Sequence, residues 1–160
     1  MITPTKGFRT TIGNTHDYLL EIGVTDLPPL TSPFDPGYDP VTLESHLEQS
    51  GHLISSLKLS MACWQVANET ATRRKVTAAR RLNIPVCTGG GAFEVGVYFG
   101  KLAHYLDLCA DIGVTSIEAG AGFIENVLDP IEVIQLASDR GLTVQFEIGD
   151  KHGGTFTEDV

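Results

Sequence analysis

The sequence predicts an α/β fold built on a parallel sheet. Strand-like and helix-like segments alternate along the chain, the composition is that of one globular domain, and polar residues recur at a fixed interval. Lys58, Thr88, Glu118 and Glu147 stand at or just past the ends of four successive strand-like segments, 30, 30 and 29 positions apart. A βα unit of a parallel sheet takes about that length. Such units would bring all four side chains to the carboxyl edge of the sheet, where parallel α/β folds place their chemistry.

Each element has a local justification. Tyr18-Leu19-Leu20-Glu21-Ile22-Gly23 reads as a first strand, with Glu21 at the strand-end position. Five of the eight prolines follow within residues 27–40, and because each fixes φ and removes an amide donor, that stretch is a loop. Asp39-Pro40 supplies an N-cap and a first helical residue, and Val41, Leu43, Leu47 and Ile54 give an apolar side, so a helix is expected over about 40–52. Leu53, Leu57, Leu59 and Met61 alternate with Ser56, Lys58 and Ser60 at the two-residue period of a strand.

Residues 68–82 then read as a helix with Arg73, Arg74, Lys75, Arg80 and Arg81 on its wet side. Residues 85–88 form a short strand ending in Gly89-Gly90-Gly91. Leu102, Tyr105, Leu106 and Cys109 are spaced as one helical face with Gly113 as its stop, and residues 114–118 form the next strand. Asp129-Pro130 caps a last helix, with Ile131, Ile134 and Leu136 as its apolar residues, and residues 143–148 form a fifth strand.

Composition bounds the function. In 160 residues, 42% hydrophobic and 19% charged content excludes a disordered, collagen-like or coiled-coil chain. The net charge of -9 argues against nucleic acid or an anionic membrane as partner, since both need a basic field. Acids and bases cancel over residues 1–90, so the whole excess lies in the second part of the chain. There is no apolar run long enough to cross a bilayer and no secretory h-region, so the expected location is the cytoplasm. Cys63, Cys87 and Cys109 include no CxxC pair and read as reduced, mostly buried thiols.

The candidate site residues carry competing readings. Lys58, in the middle of a strand, either reaches an anion or extends to solvent. Thr88-Gly89-Gly90-Gly91 lets backbone amides approach an anion or simply makes a tight βα turn, and Glu94 either binds a metal or sits at a helix N-terminus. Glu118 and Glu147 are hard oxygen ligands suited to Mg²⁺, or partners for Lys58 and Lys151. The five histidines show no HxxxH or HExxH spacing, which makes a zinc site improbable, and no GxSxG elbow is present.

Taken together, Ser56-Leu57-Lys58-Leu59-Ser60, Gly89-Gly90-Gly91-Ala92-Phe93-Glu94, Ile117-Glu118 with Gly122, and Glu147-Ile148-Gly149-Asp150-Lys151 resemble the successive strand-end motifs of phosphosulfolactate synthases. Leu20-Glu21-Ile22-Gly23 resembles the first strand end, where that family usually has Asp-Lys-Gly. The resemblance implies a (β/α)8 TIM barrel of which only about the first five βα units are present, so residues 1–160 read as a single, C-terminally truncated barrel domain. It further implies a lyase that adds sulfite to phosphoenolpyruvate with Mg²⁺, on the route to coenzyme M or sulfolactate.

On that reading Glu21, Glu118 and Glu147 hold the metal, Thr88, Gly89, Gly90, Gly91 and Glu94 contact substrate, Lys151 is the general acid and Lys58 an anion contact. The sequence departs from the family pattern at Ile22, Gly91, Ala121 and Asp150, where lysine, threonine, an acid and lysine are usual. Because the family also holds heat-stress-associated relatives, the alternative is a non-catalytic barrel acting through protein association. Open sheet edges predict a homo-oligomer.

Overall fold

The computed structural model describes residues 15–24, 29–60, 63–122 and 128–147. Five strands form one sheet: β1 (Phe34–Asp35), β2 (Leu57–Leu59), β3 (Val86–Thr88), β4 (Ser116–Ala119) and β5 (Thr143–Phe146). All neighbours are parallel and the spatial order is β1-β2-β3-β4-β5. A sheet that grows strand by strand in one direction is the arrangement of a (β/α) barrel wall. A doubly wound sheet would reverse its order at a switch point.

Among the described residues seven α-helices accompany the strands: α1 (Thr15–Glu21), α2 (Pro40–Ser50), α3 (Cys63–Val66), α4 (Glu69–Arg81), α5 (Gly90–Tyr98), α6 (Leu102–Ile112) and α7 (Pro130–Ser138). Their ends follow from the sequence. Asp39 caps α2 by accepting from the Val41 and Thr42 amides, Asn68 caps α4 through Ala71, and Asp129 caps α7 through Ile131. Pro40 and Pro130 occupy first-turn positions, where the missing amide costs nothing. Gly113 closes α6 at φ 88°, a left-handed conformation that a side chain would strain.

Register decides which side chains share a face. Leu59 pairs with Thr88, Thr88 with Ile117 and Ile117 with Val144, and this row packs toward the helices. The alternate row, Phe34, Lys58, Cys87 and Ser116, faces the opposite side, and Glu118 lies one pleat beyond Ser116 on that face. Between sheet and helices lies a core that includes Leu43, Leu47, Leu57, Leu59, Val76, Val86, Phe93, Leu106, Ile117 and Val133. Full burial of each such side chain contributes about 1.5–3 kcal/mol.

Several expectations are corrected. The segment read as a first strand with Glu21 at its end is the helix α1, continued by a bond from the Ile22 amide to the Tyr18 carbonyl. Tyr18, Leu19 and Leu20 are consecutive apolar residues without alternation, and leucine and glutamate favour helix. The first strand among the described residues is Phe34–Asp35, inside the proline-rich stretch. Lys75, expected on the wet side of α4, is buried. Ile131 and Ile134 point outward from α7, whose buried residues are Val133 and Ala137. Of the thiols, Cys87 and Cys109 are buried and Cys63 is exposed. Among the described residues no helix is long and apolar enough to cross a membrane.

Candidate active site

The carboxyl edge of the sheet gathers one ammonium and three carboxylates. Lys58 lies in the middle of β2, on the face turned away from the helices, and its side chain crosses β3 to reach β4. Its Nζ is 2.6 Å from Glu118 Oε2 and 3.8 Å from Glu147 Oε1. The Gly90 amide also donates to Glu118 Oε2, at 3.1 Å. Two of the four strand-end residues, Glu118 and Glu147, are therefore drawn toward a third, Lys58.

Glycines make this convergence possible. A Cβ at Gly120 would stand 2.7 Å from Glu94 Oε1 and 2.9 Å from Glu147 Oε2, so oxygens of both carboxylates occupy the space such an atom would need. A Cβ at Gly90 would overlap Glu147 Oε2 outright and lie 3.1 Å from Gly120 Cα. The two backbone segments approach closely because neither carries a side chain. Glu94, in the first turns of α5, is only 1% exposed and faces this junction. Glu94, Glu118 and Glu147 thus place three carboxylates around the Lys58 ammonium and the two glycines.

The donors suit a hard cation. Mg²⁺ takes one or two carboxylates and keeps several waters, and Glu118 and Glu147 supply two carboxylates, with Glu94 adjoining Glu147. Among the described residues there is no group of three or more His, Cys, Asp or Glu side chains that could hold a metal ion.

Cys87 lies on the same face of the sheet as Lys58. Burial pushes its thiol up to about 11, a hydrogen bond with Ser116 acts in the opposite direction, and the Glu118 charge adds to the rise. It is a neutral thiol at physiological pH and no nucleophile.

The glycine loop differs from the expected anion cradle. The Gly89 amide donates to the Leu59 carbonyl and the Gly90 amide to Glu118, so these two donors are spent on holding β2 and β4. Thr88 is fully buried on the helix side, where its Oγ1 bonds the Tyr105 hydroxyl at 2.7 Å, so it stands apart from the cluster. Burial holds the Tyr105 phenol well above its ordinary range, which keeps that pair neutral. Glu21 ends α1 in an exposed position and is not a strand-end residue. Gly91 is buried in α5. Lys151 lies outside the described residues.

Sequence reasoning missed Asp35 and Lys75. Asp35 ends β1 and is 3% exposed, with Oδ1 accepting from the Gly37 and Tyr38 amides and Oδ2 from Lys75 Nζ at 2.7 Å. The available signal was Asp35-Pro36-Gly37, an acid followed by turn residues.

Comparison with known families settles the relationship. A family model described as (2R)-phospho-3-sulfolactate synthase (ComA) matches residues 29–159. The chain belongs to this family. A comparison with curated proteins returns no match. The ComA family is a family of lyases with the TIM-barrel fold, so the sheet described above is part of such a barrel. The match includes all five strands and Asp35 but begins after α1, which leaves Glu21 outside it. In this ComA family member the Asp35-Pro36-Gly37 turn, and not Glu21-Ile22-Gly23, ends the first strand.

Proposed function

We propose that this protein is a phosphosulfolactate synthase-type lyase that adds sulfite to phosphoenolpyruvate to give 2-phospho-3-sulfolactate. The observation that carries the reading is the convergence of Lys58, Glu118 and Glu147 at the carboxyl edge of the sheet, in a chain of the ComA family. The reaction joins two anions. Sulfite sulfur forms a bond to the terminal carbon of the enol phosphate, the double-bond electrons move toward the carboxylate, and a proton is delivered to the adjacent carbon.

Each demand has a residue to meet it. Glu118 and Glu147 would hold Mg²⁺, and that ion supplies positive charge where the carboxylate becomes more negative. Lys58 contacts an anionic reactant through the ammonium that also holds the two glutamates in place. Glu94 and Glu147 both approach Gly120, so that glycine leaves room for the two carboxylates at the site. Lys151 is the proposed general acid. The setting is cytoplasmic, and β1 and β5, each with one edge unpaired among the described residues, favour association of copies.

The test is to incubate the protein with sulfite, phosphoenolpyruvate and Mg²⁺ and follow phosphorus resonances. The expected result is a new phosphate ester that matches synthetic 2-phospho-3-sulfolactate and ceases to accumulate when the metal is chelated. Unchanged phosphoenolpyruvate at high protein concentration would overturn the reading.

A further inference from the structure

The face of the sheet turned away from the helices is the interior side of the barrel, a place usually filled by valine, isoleucine and leucine. Here it is polar. Lys58 on β2, Cys87 on β3, Ser116 and Glu118 on β4 and Gln145 on β5 follow one another across the sheet. Lys58 and Glu118 pair with each other, and Cys87 and Ser116 share a hydrogen bond. Gln145 keeps hydrogen-bonding capacity in reserve.

Gln145 stands in register with Glu118 on the neighbouring strand, so the two side chains leave the same face side by side, about 4.8 Å apart at the backbone. Its carboxamide then turns toward the cluster. Oε1 lies 3.6 Å from Cys87 Sγ, a contact that spans β4 and lays the side chain along the face that carries Lys58 and Glu118. The Cys87 thiol itself feels the charges of Glu118, Lys58 and Glu147, which places the partner of the carboxamide beside them. That thiol is protonated at neutral pH and has one hydrogen to give, to Gln145 Oε1 or to the Thr88 carbonyl at 3.4 Å. Whichever acceptor takes it, at least one N–H of the Gln145 carboxamide has no partner among the described residues. The residue is exposed, so a dissolved molecule can reach that donor.

The site needs such a donor. Sulfite and phosphoenolpyruvate are anions, yet the amides of Gly89 and Gly90 are spent on Leu59 and Glu118, and Lys58 is shared between Glu118 and Glu147. A further cation at this position would compete with Lys58 for those carboxylates. An amide N–H holds an anionic oxygen through a charge-assisted hydrogen bond and leaves the existing pairs undisturbed. We propose that Gln145 is a substrate-contact residue of this site, with a carboxamide N–H donating to an anionic oxygen of sulfite or of phosphoenolpyruvate. The assignment rests on the sulfite-addition reading of the site.

In ¹⁵N-labelled protein, comparison with the Gln145→Leu spectrum identifies the Gln145 carboxamide resonance. Phosphoenolpyruvate and sulfite are titrated separately in the presence of Mg²⁺, with the Gly90 amide, which bonds Glu118, as a second reporter. The expected result is a saturable shift of both reporters with at least one of the two anions. Gln145→Leu should weaken that anion by about tenfold or more, as for a hydrogen bond to a charged group, read from the Gly90 shift and as a raised KM at nearly constant kcat. Gln145→Glu keeps the shape but puts a negative acceptor where the donor stood, and should weaken the anion further. A Gly90 amide that responds while the carboxamide does not, or a Gln145→Leu affinity within about twofold of the wild type, overturns the proposal and leaves the lyase reading standing. Saturable shifts of both reporters without formation of the phosphate ester overturn the lyase reading and support the contact. If neither reporter responds to either anion, both are overturned.

Discussion

Lys58 Nζ lies 2.6 Å from Glu118 Oε2, a contact that reaches from β2 across β3 to β4 and ties the carboxyl edge of the sheet together. The same ammonium is 3.8 Å from Glu147, so its removal leaves Glu94, Glu118 and Glu147 facing one another with no cation from β2. Breaking a fully buried ion pair costs about 3–5 kcal/mol. Here Lys58 retains 28% of its side-chain exposure, which lowers the expectation for Lys58→Met to about 1–3 kcal/mol. Urea unfolding should show a lower midpoint at an unchanged slope. Adding Glu118→Gln to the Lys58→Met background should cost less than it does in the wild type, because the charge it removes is then uncompensated.

Gly90 and Gly120 should tolerate no side chain, for a reason that concerns the site more than the fold. A methyl group at Gly120 must displace two carboxylates, Glu94 and Glu147, and it would also lie 3.3 Å from the Gly90 carbonyl carbon. Gly120→Ala is expected to lower kcat/KM for the proposed sulfite addition by at least about tenfold, since misplacement of a reacting constellation by about 1 Å can cost a hundredfold. Gly96→Ala is the comparison variant. Its Cβ would meet Tyr105 Cβ at 3.3 Å, away from the carboxylates, so it should affect melting temperature while leaving kcat/KM near that of the wild type.

The register of β2 to β5 was legible because the helices between those strands carry explicit start or stop signals: Asn68, Asp129 and Gly113 all cap as their chemistry predicts. Lys58, Glu118 and Glu147 could be found from that register alone, and they do meet in space. The first strand could not. Phe34–Asp35 is two residues long, with Pro33 and Pro36 on either side, so it offers no two-residue period to read. It also lies closer to Lys58 than the 30-residue interval that guided the search, and Glu21 took its place. Lys75 was missed for a different reason. In a helix run of Arg73, Arg74 and Lys75, nothing local shows which cation turns inward, because its partner Asp35 is 40 positions away. Thr88 had the correct strand position, but the final choice of face depended on Tyr105 in α6.

The Asp35–Lys75 pair should be the costliest polar interaction in the described chain to break from one side. Asp35 is 3% exposed and the Lys75 side chain 10%, and the aspartate also holds the Gly37 and Tyr38 amides that shape the loop after β1. Lys75→Met leaves a buried carboxylate without its cation, for an expected loss of about 3–5 kcal/mol. Asp35→Asn keeps part of the hydrogen bonding but strands the ammonium. The double variant should recover part of the loss, because neither charge then remains to be desolvated. Chemical denaturation of the four proteins closes the cycle, and strictly additive losses would show that the two residues act independently.

The thiols give a pH dependence whose sign is fixed by burial. Desolvation raises Cys87 from 9.0 to about 11 and Cys109 from 9.0 to about 12, so the folded protein keeps both protonated when the unfolded chain has begun to lose those protons. Between about pH 9 and the folded values, the unfolded state binds fewer protons, and stability must therefore fall as pH rises. Below pH 8 the same groups contribute no slope. Each thiol can remove up to about 1.4 kcal/mol per pH unit within that window. Urea midpoints measured from pH 7 to 10.5 should be level and then decline. Cys109→Ala should be less stable at pH 7, through lost packing, yet decline less steeply above pH 9. Native protein at pH 8 should react with a thiol reagent at the exposed Cys63 alone, and the other two cysteines should become reactive only on unfolding.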